Sequence, residues 1–153
     1  MVKSFRGVPA APTKTADIQP IRVQDYMSTR LVTFHPDQSI NDVMEALLKK
    51  KISGGPVVDQ DNHLVGVISE GDCLKEVVKG KYNNSPKMSG LVSEHMTQDV
   101  ITIPPEMNIF DAAQKFLELK IRRFPVLRNG LLVGQISQKD IIRAVRSLKN
   151  ETW

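Results

Sequence analysis

The chain contains one unit twice. When residues 27–77 are set above residues 96–145, identical residues align at an offset of 69: Met27 with Met96, Thr33 with Thr102, Pro36 with Pro105, Ile40 with Ile109, Asp42 with Asp111, Leu48 with Leu117, Lys51 with Lys120, Pro56 with Pro125 and Val57 with Val126. One residue is then dropped. At an offset of 68, Leu64, Val65, Gly66, Ile68, Ser69, Asp72 and Val77 match Leu132, Val133, Gly134, Ile136, Ser137, Asp140 and Val145. An ordered series with a single gap marks a duplication, and a repeat of this size constrains the fold more than any one motif. A unit of about 50 residues buries too little surface to be comfortably stable alone, so two copies are expected to pack sheet to sheet around one shared core.

Each unit opens with a short apolar run, 31–34 or 100–103, read as a strand. Pro36 and Pro104-Pro105 then force an extended turn. Ser39 with Asp42, and Asn108 with Asp111, signal the start of a helix. Ile40, Val43, Met44, Leu47 and Leu48 recur at helical spacing, as do Ile109, Ala112, Ala113, Phe116 and Leu117; both stripes are expected to face the core. Two strands follow. Those at 56–58 and 64–68 flank a turn-rich stretch at 59–63. Those at 124–127 and 131–136 flank Arg128-Asn129-Gly130, whose Asn-Gly pair is a strong hairpin signal. A second helix, about 71–79 and 139–148, closes each unit. The order is β-α-β-β-α twice, an α+β fold whose pseudo-twofold axis leaves two equivalent clefts. Residues 1–20, rich in Pro, Ala, Thr and Lys, read as a flexible tail; 21–80 and 92–149 are the repeats, and 81–91 the linker.

At Gly66-Val67-Ile68-Ser69-Glu70-Gly71-Asp72 and Gly134-Gln135-Ile136-Ser137-Gln138-Lys139-Asp140 the sequence resembles the CBS domain family. Met27 and Met96 resemble the methionine that opens that repeat. The stretches Ile52-Ser53-Gly54-Gly55-Pro56-Val57-Val58-Asp59 and Ile121-Arg122-Arg123-Phe124-Pro125-Val126 resemble its central I-x-x-x-P-V-V-D. The resemblance runs from 23 to 148. It implies a tandem pair, the Bateman module, that binds adenosyl ligands (AMP, ADP or ATP, less often S-adenosylmethionine) in its two clefts and often forms a disc-shaped homodimer. By position it implies that Asp72 and Asp140 accept ribose hydroxyls and that Ser69 and Ser137 contact phosphate. Val32, Thr33, Ile101, Thr102, Ser53, Gly54, Arg122 and Arg123 would line the base and phosphate regions.

The residues support that implication on physical grounds. Ser69 and Ser137 sit where a strand ends and a helix begins, so unpaired N–H groups and the positive end of the helix dipole face an anion. A carboxylate three residues on can accept two vicinal hydroxyls. The alternative is that both Ser-x-x-Asp motifs are plain helix caps beside empty clefts. The clefts are not expected to be equivalent. Arg122, Arg123, Lys139 and Arg143 suit phosphate, and the more phosphate-friendly cleft is expected to combine Arg122, Arg123, Ser137 and Asp140. The first repeat offers Gly54-Gly55 for close backbone approach, with Glu70 against a nearby phosphate. The second departs from the family pattern with Leu127-Arg128 in place of Val-Asp.

Catalytic machinery is not expected. His35, His63 and His95 lack metal-ligand spacing, and Asp59 and Asp61 suit a turn for backbone reasons. No phosphate-binding loop, dinucleotide fingerprint or nucleophile elbow is present. No cofactor is required and no metal site is read. Cys73, the single cysteine, follows Asp72 at a helix start, where either a lowered thiol pKa or a half-buried structural role fits; its being alone points to a reducing, cytoplasmic compartment. The net charge of +4 is dispersed, without the basic stripe that nucleic acid wants, and no apolar run approaches a membrane span. Beside the sensor reading stand a purely structural or oligomerising module and a regulatory fragment related to inosine monophosphate dehydrogenase. Any protein partner is unspecified.

Overall fold

The computed structural model describes residues 21–82 and 90–152. The tail at 1–20 and most of the linker lie outside the described residues. The elements, in order, are α1 (Val23–Tyr26), α2 (Ile40–Lys50), β1 (Gly54–Val58), β2 (Leu64–Ser69), α3 (Glu70–Tyr82), α4 (Val92–His95), α5 (Ile109–Leu119), β3 (Arg123–Arg128), β4 (Leu131–Ser137) and α6 (Gln138–Thr152). Each unit's two strands form an antiparallel hairpin, β1 on β2 and β3 on β4, with a register shift at the same place, Val57/Val58 and Val126/Leu127. Asn129 and Gly130 take positive φ, as the Asn-Gly turn requires.

Local signals set the helix starts. Ser39 Oγ accepts from the Asp42 N–H at 3.0 Å, and Asn108 Oδ1 from the Phe110 N–H at 2.7 Å. Helices α2 and α5 end on the duplicated lysine, Lys51 or Lys120, in the left-handed conformation, which turns the chain towards the hairpin.

Three expectations are corrected. The runs at 31–34 and 100–103 are not strands. Each touches its own hairpin through one parallel bridge, Phe34 to Val57 and Ile103 to Val126. Pro36 and Pro105, the next donor positions, have no N–H to extend the ladder, so it stops there. Leu48 and Leu117 do not face the core; they are 81% and 78% exposed on the last turns of α2 and α5. Nor is there one shared core. Phe34, Ile40, Val43, Val57 and Ile68 form one cluster with Val92, whereas Ile103, Ile109, Phe116, Phe124 and Ile136 form another with Val23. Each unit's leading helix therefore completes the core of the other unit.

Backbone bonds hold this exchange. Ser28 and Gln135 trade hydrogen bonds of 2.8 and 3.0 Å, and Thr97 and Val67 trade two of 2.9 Å. The duplicated glycine is needed at the crossing. A Cβ on Gly66 would lie 2.8 Å from the Thr97 carbonyl oxygen, and one on Gly134 would run into Met27 Sδ.

Candidate functional site

The exchange brings Asp99-Val100-Ile101, from the second unit, against the first unit's hairpin. Between them lies a cavity of about 360 Å³, within the range of small-molecule sites. Its walls include Ser53, Gly54, Val67, Ile68 and Ser69 from the first unit, with Ile121, Arg122, Arg123 and Pro125 from the second. A second cavity of about 200 Å³ adjoins it, walled by Ser28, Arg30, Leu31, Val32, Ile52, Pro56 and the shared residues Gly54, Arg123 and Gln135. Under the duplication Arg30, Leu31 and Val32 correspond to Asp99, Val100 and Ile101. The two cavities are thus the two expected clefts, unequal in size and charge. Among the described residues the side chains of Arg30, Asp99, Arg122 and Arg123 make no hydrogen bond or ion pair.

The larger cavity collects Ser53, Gly54, Ser69, Ile101, Arg122 and Arg123 of the residues singled out from sequence, and the smaller takes Val32. Thr33 and Thr102 line neither; neighbours in an extended segment face opposite ways. Lys139 lies outside, on the outer face of α6 beside Ile142, Arg143 and Arg146. The expected grouping of Arg122 and Arg123 with Ser137 and Asp140 is also corrected. Both arginines face Ser69, the other unit's helix start, because the cavity opens between units rather than within one. Asp99, Arg30 and Gln135 were missed. Nothing in a linear reading shows which hairpin an opening segment lies against.

The two Ser-Asp pairs form complete capping boxes. Asp72 Oδ2 accepts from the Ser69 N–H at 2.9 Å and its hydroxyl at 3.0 Å, and Asp140 Oδ2 does the same for Ser137 at 2.8 and 3.0 Å. The remaining oxygens meet Lys75 at 3.5 Å and Arg143 at 2.7 Å. Neither carboxylate lines either of these two cavities.

Asp59, Asp61 and His63 bring ligating atoms within 4.8 Å of one another. Asp59 Oδ1 already accepts from the Asp61 and His63 N–H groups, each at 2.9 Å. Those bonds, the one from His63 foremost, hold its carboxyl below the usual range. Cys73 is buried, and desolvation pushes its thiol up, with Asp72 and Glu70 adding to the shift. Of the two readings open from sequence, the burial supports the structural one. Stability from the neutral thiol is complete below the ordinary thiol pKa and is lost as pH rises through the raised one. Cys73 should stay unreactive towards a disulfide reagent at pH 8 and titrate fully in denaturant; rapid native labelling would contradict the burial. Among the described residues no helix is long and apolar enough to cross a membrane.

Two hairpins, each flanked by two long helices and interlocked through exchanged leading segments around an inter-unit cavity, define a tandem repeat module. The CBS domain model matches residues 23–79 and 92–147, and the chain belongs to the CBS domain family. It is 30% identical to the chloroplastic CBS domain-containing protein CBSX2 of Arabidopsis thaliana, over 85% of this chain and 66% of that protein. The crystal structure of CBSX2 in complex with AMP superposes with a TM-score of 0.73 at 34% identity, over 84% of this chain and 98% of that one. The CBS domain pair of protein MJ0100, in complex with 5′-methylthioadenosine and S-adenosyl-L-methionine, gives 0.69 at 27% identity, over 85% and 99%. The inosine-5′-monophosphate dehydrogenase of Aquifex aeolicus is 32% identical over 73% of this chain, which covers 22% of that enzyme.

Proposed function

We propose that this chain is a regulatory module that binds an adenosyl ligand (AMP, ADP or ATP) in the larger cavity. The observation that carries the reading is that cavity's make-up: apolar walls from both units, the start of α3 at Ser69 on one side, and unpaired Arg122 and Arg123 on the other. Val67, Ile68, Val100, Ile101 and Ile121 offer surface to a base, while the unpaired arginines offer donors to phosphate. The AMP complex of CBSX2, a relative of the same fold, supports it. Because both units wall the cavity, a ligand stabilises one arrangement of the pair, which a partner can read. The role is regulatory rather than catalytic.

The module acts as a homodimer. Leu48 and Leu117, Leu74 and Ile142, and Val77 and Val145 are repeat-equivalent pairs, each exposed to nearly the same degree in both units. Apolar side chains kept at exposed positions through a duplication suit a surface covered by a second copy. Leu48→Glu with Leu117→Glu should turn a sedimenting dimer into a monomer that keeps the fold. The single buried cysteine suits a reducing cytoplasm.

Thermal melting with AMP, ADP, ATP and S-adenosylmethionine tests the ligand. A ligand at 100 times its dissociation constant adds about 2.7 kcal/mol, or roughly 5–10 °C for a chain of this length. Arg122→Gln with Arg123→Gln should abolish the shift. No shift with any adenosyl compound would leave the structural, ligand-free module as the reading.

A further inference from the structure

The two cavities differ in kind. The larger is walled mainly by apolar surface, with Val67, Ile68, Val100, Ile101 and Ile121. At about 360 Å³ it suits a planar base and a sugar. The smaller, at about 200 Å³, falls below the size of a small-molecule site, and its walls carry Ser28, Arg30, Arg123 and Gln135. They meet along Gly54, Arg123 and Gln135. Where the larger cavity has Asp99, the smaller has Arg30 at the repeat-equivalent position. In the larger cavity Asp99 and Arg122 offset each other, whereas Arg30 in the smaller is unopposed, so the field draws an anionic tail across the seam.

We infer that the smaller cavity is not a second nucleotide site but an annex for the phosphate chain of a ligand whose adenosine occupies the larger one. Arg123, at the seam, meets the first phosphate, and Arg30 meets those beyond it. The module then favours a nucleoside triphosphate over a monophosphate, one per chain. This rests on the adenosyl reading of the larger cavity.

Calorimetric titration of the full chain with AMP and with ATP, in buffer free of divalent cations, tests it. Arg30 is exposed and unpaired among the described residues, so Arg30→Gln should melt like the wild type. The wild type should take one equivalent of either nucleotide and bind ATP more tightly. Arg30→Gln should lose about tenfold in ATP affinity and less than about twofold for AMP, and Arg30→Lys, which keeps the cation, should lose less. Equal effects of Arg30→Gln on AMP and ATP, or none on either, would overturn the inference while leaving the adenosyl reading intact. So would two AMP per chain with the second lost in Arg30→Gln. Binding of neither nucleotide would overturn both.

Discussion

Replacing Phe124 with alanine is expected to cost about 3–5 kcal/mol of stability, a large part of the 5–15 kcal/mol typical of a whole domain. Phe124 is fully buried, and its ring lies 4.5 Å from that of Phe116 at 40°. The melting temperature should fall by roughly 6–20 °C for a chain of this length. The duplication supplies a control. Phe124 corresponds to Gly55, and Ile103 to Phe34. In the first unit the Phe34 ring occupies the space over Gly55, 3.0 Å from where a Cβ would stand. The two units thus fill one volume from opposite segments. Ile103→Phe should recover part of the loss in a Phe124→Ala background, because it repeats the packing of the first unit. Urea unfolding measures both. A loss below about 1 kcal/mol would mean that the second core relaxes around the hole, contrary to the close packing described.

The second large effect is expected at His95. Its Nε2 lies 3.3 Å from Glu76 Oε2, and the side chains are only 12% and 6% exposed. Neither atom finds a hydrogen-bond partner among the described residues, and their mutual contact is in ion-pair range without hydrogen-bond alignment. Gly90 leaves the room, since a Cβ there would run into the Glu76 carboxylate. The pair joins α3, whose first turn carries Asp72, to α4, which leads into the cavity wall at Asp99. His95→Ala removes one partner from a buried pair and should cost about 3 kcal/mol in urea unfolding. The equivalent positions in the other unit are Ala144 and Tyr26. Glu76→Ala with His95→Tyr copies that solution and should return stability to within about 1 kcal/mol of the wild type, since an apolar replacement of a buried pair is often neutral. If the double variant is as unstable as His95→Ala, the loss comes from packing at residue 95 and not from a stranded carboxylate.

Much of this was legible in one dimension. The hairpins, both amphipathic helices and their caps come from contacts within a few residues, so Ser39, Asn108 and Asn129-Gly130 announce them directly. Misreadings fell where a residue answers to something distant. The run at 31–34 has a strand's composition, but only one bridge is available to it beside Pro36. Leu48 has a core residue's hydrophobicity, but Leu47 takes that turn's place in the core and leaves Leu48 outside. Ser69 and Ser137 read identically because their capping boxes are local, yet of the two only Ser69 lines the larger cavity.

Duplication and capping leave marks at short range, so the two homologous units, their make-up and the residue types that could meet an anion are readable from the order of amino acids. Which unit's residues share a cavity is settled only in three dimensions. Val23 and Val92 each fill the other unit's core, and Ser28 and Thr97 pair with the other unit's hairpin. That exchange puts Arg122 and Arg123 opposite Ser69 and makes one cavity large and the other small. A 3.6-residue period and a hairpin turn are local, whereas the partner of a leading segment is chosen by the surface that the whole folded chain presents.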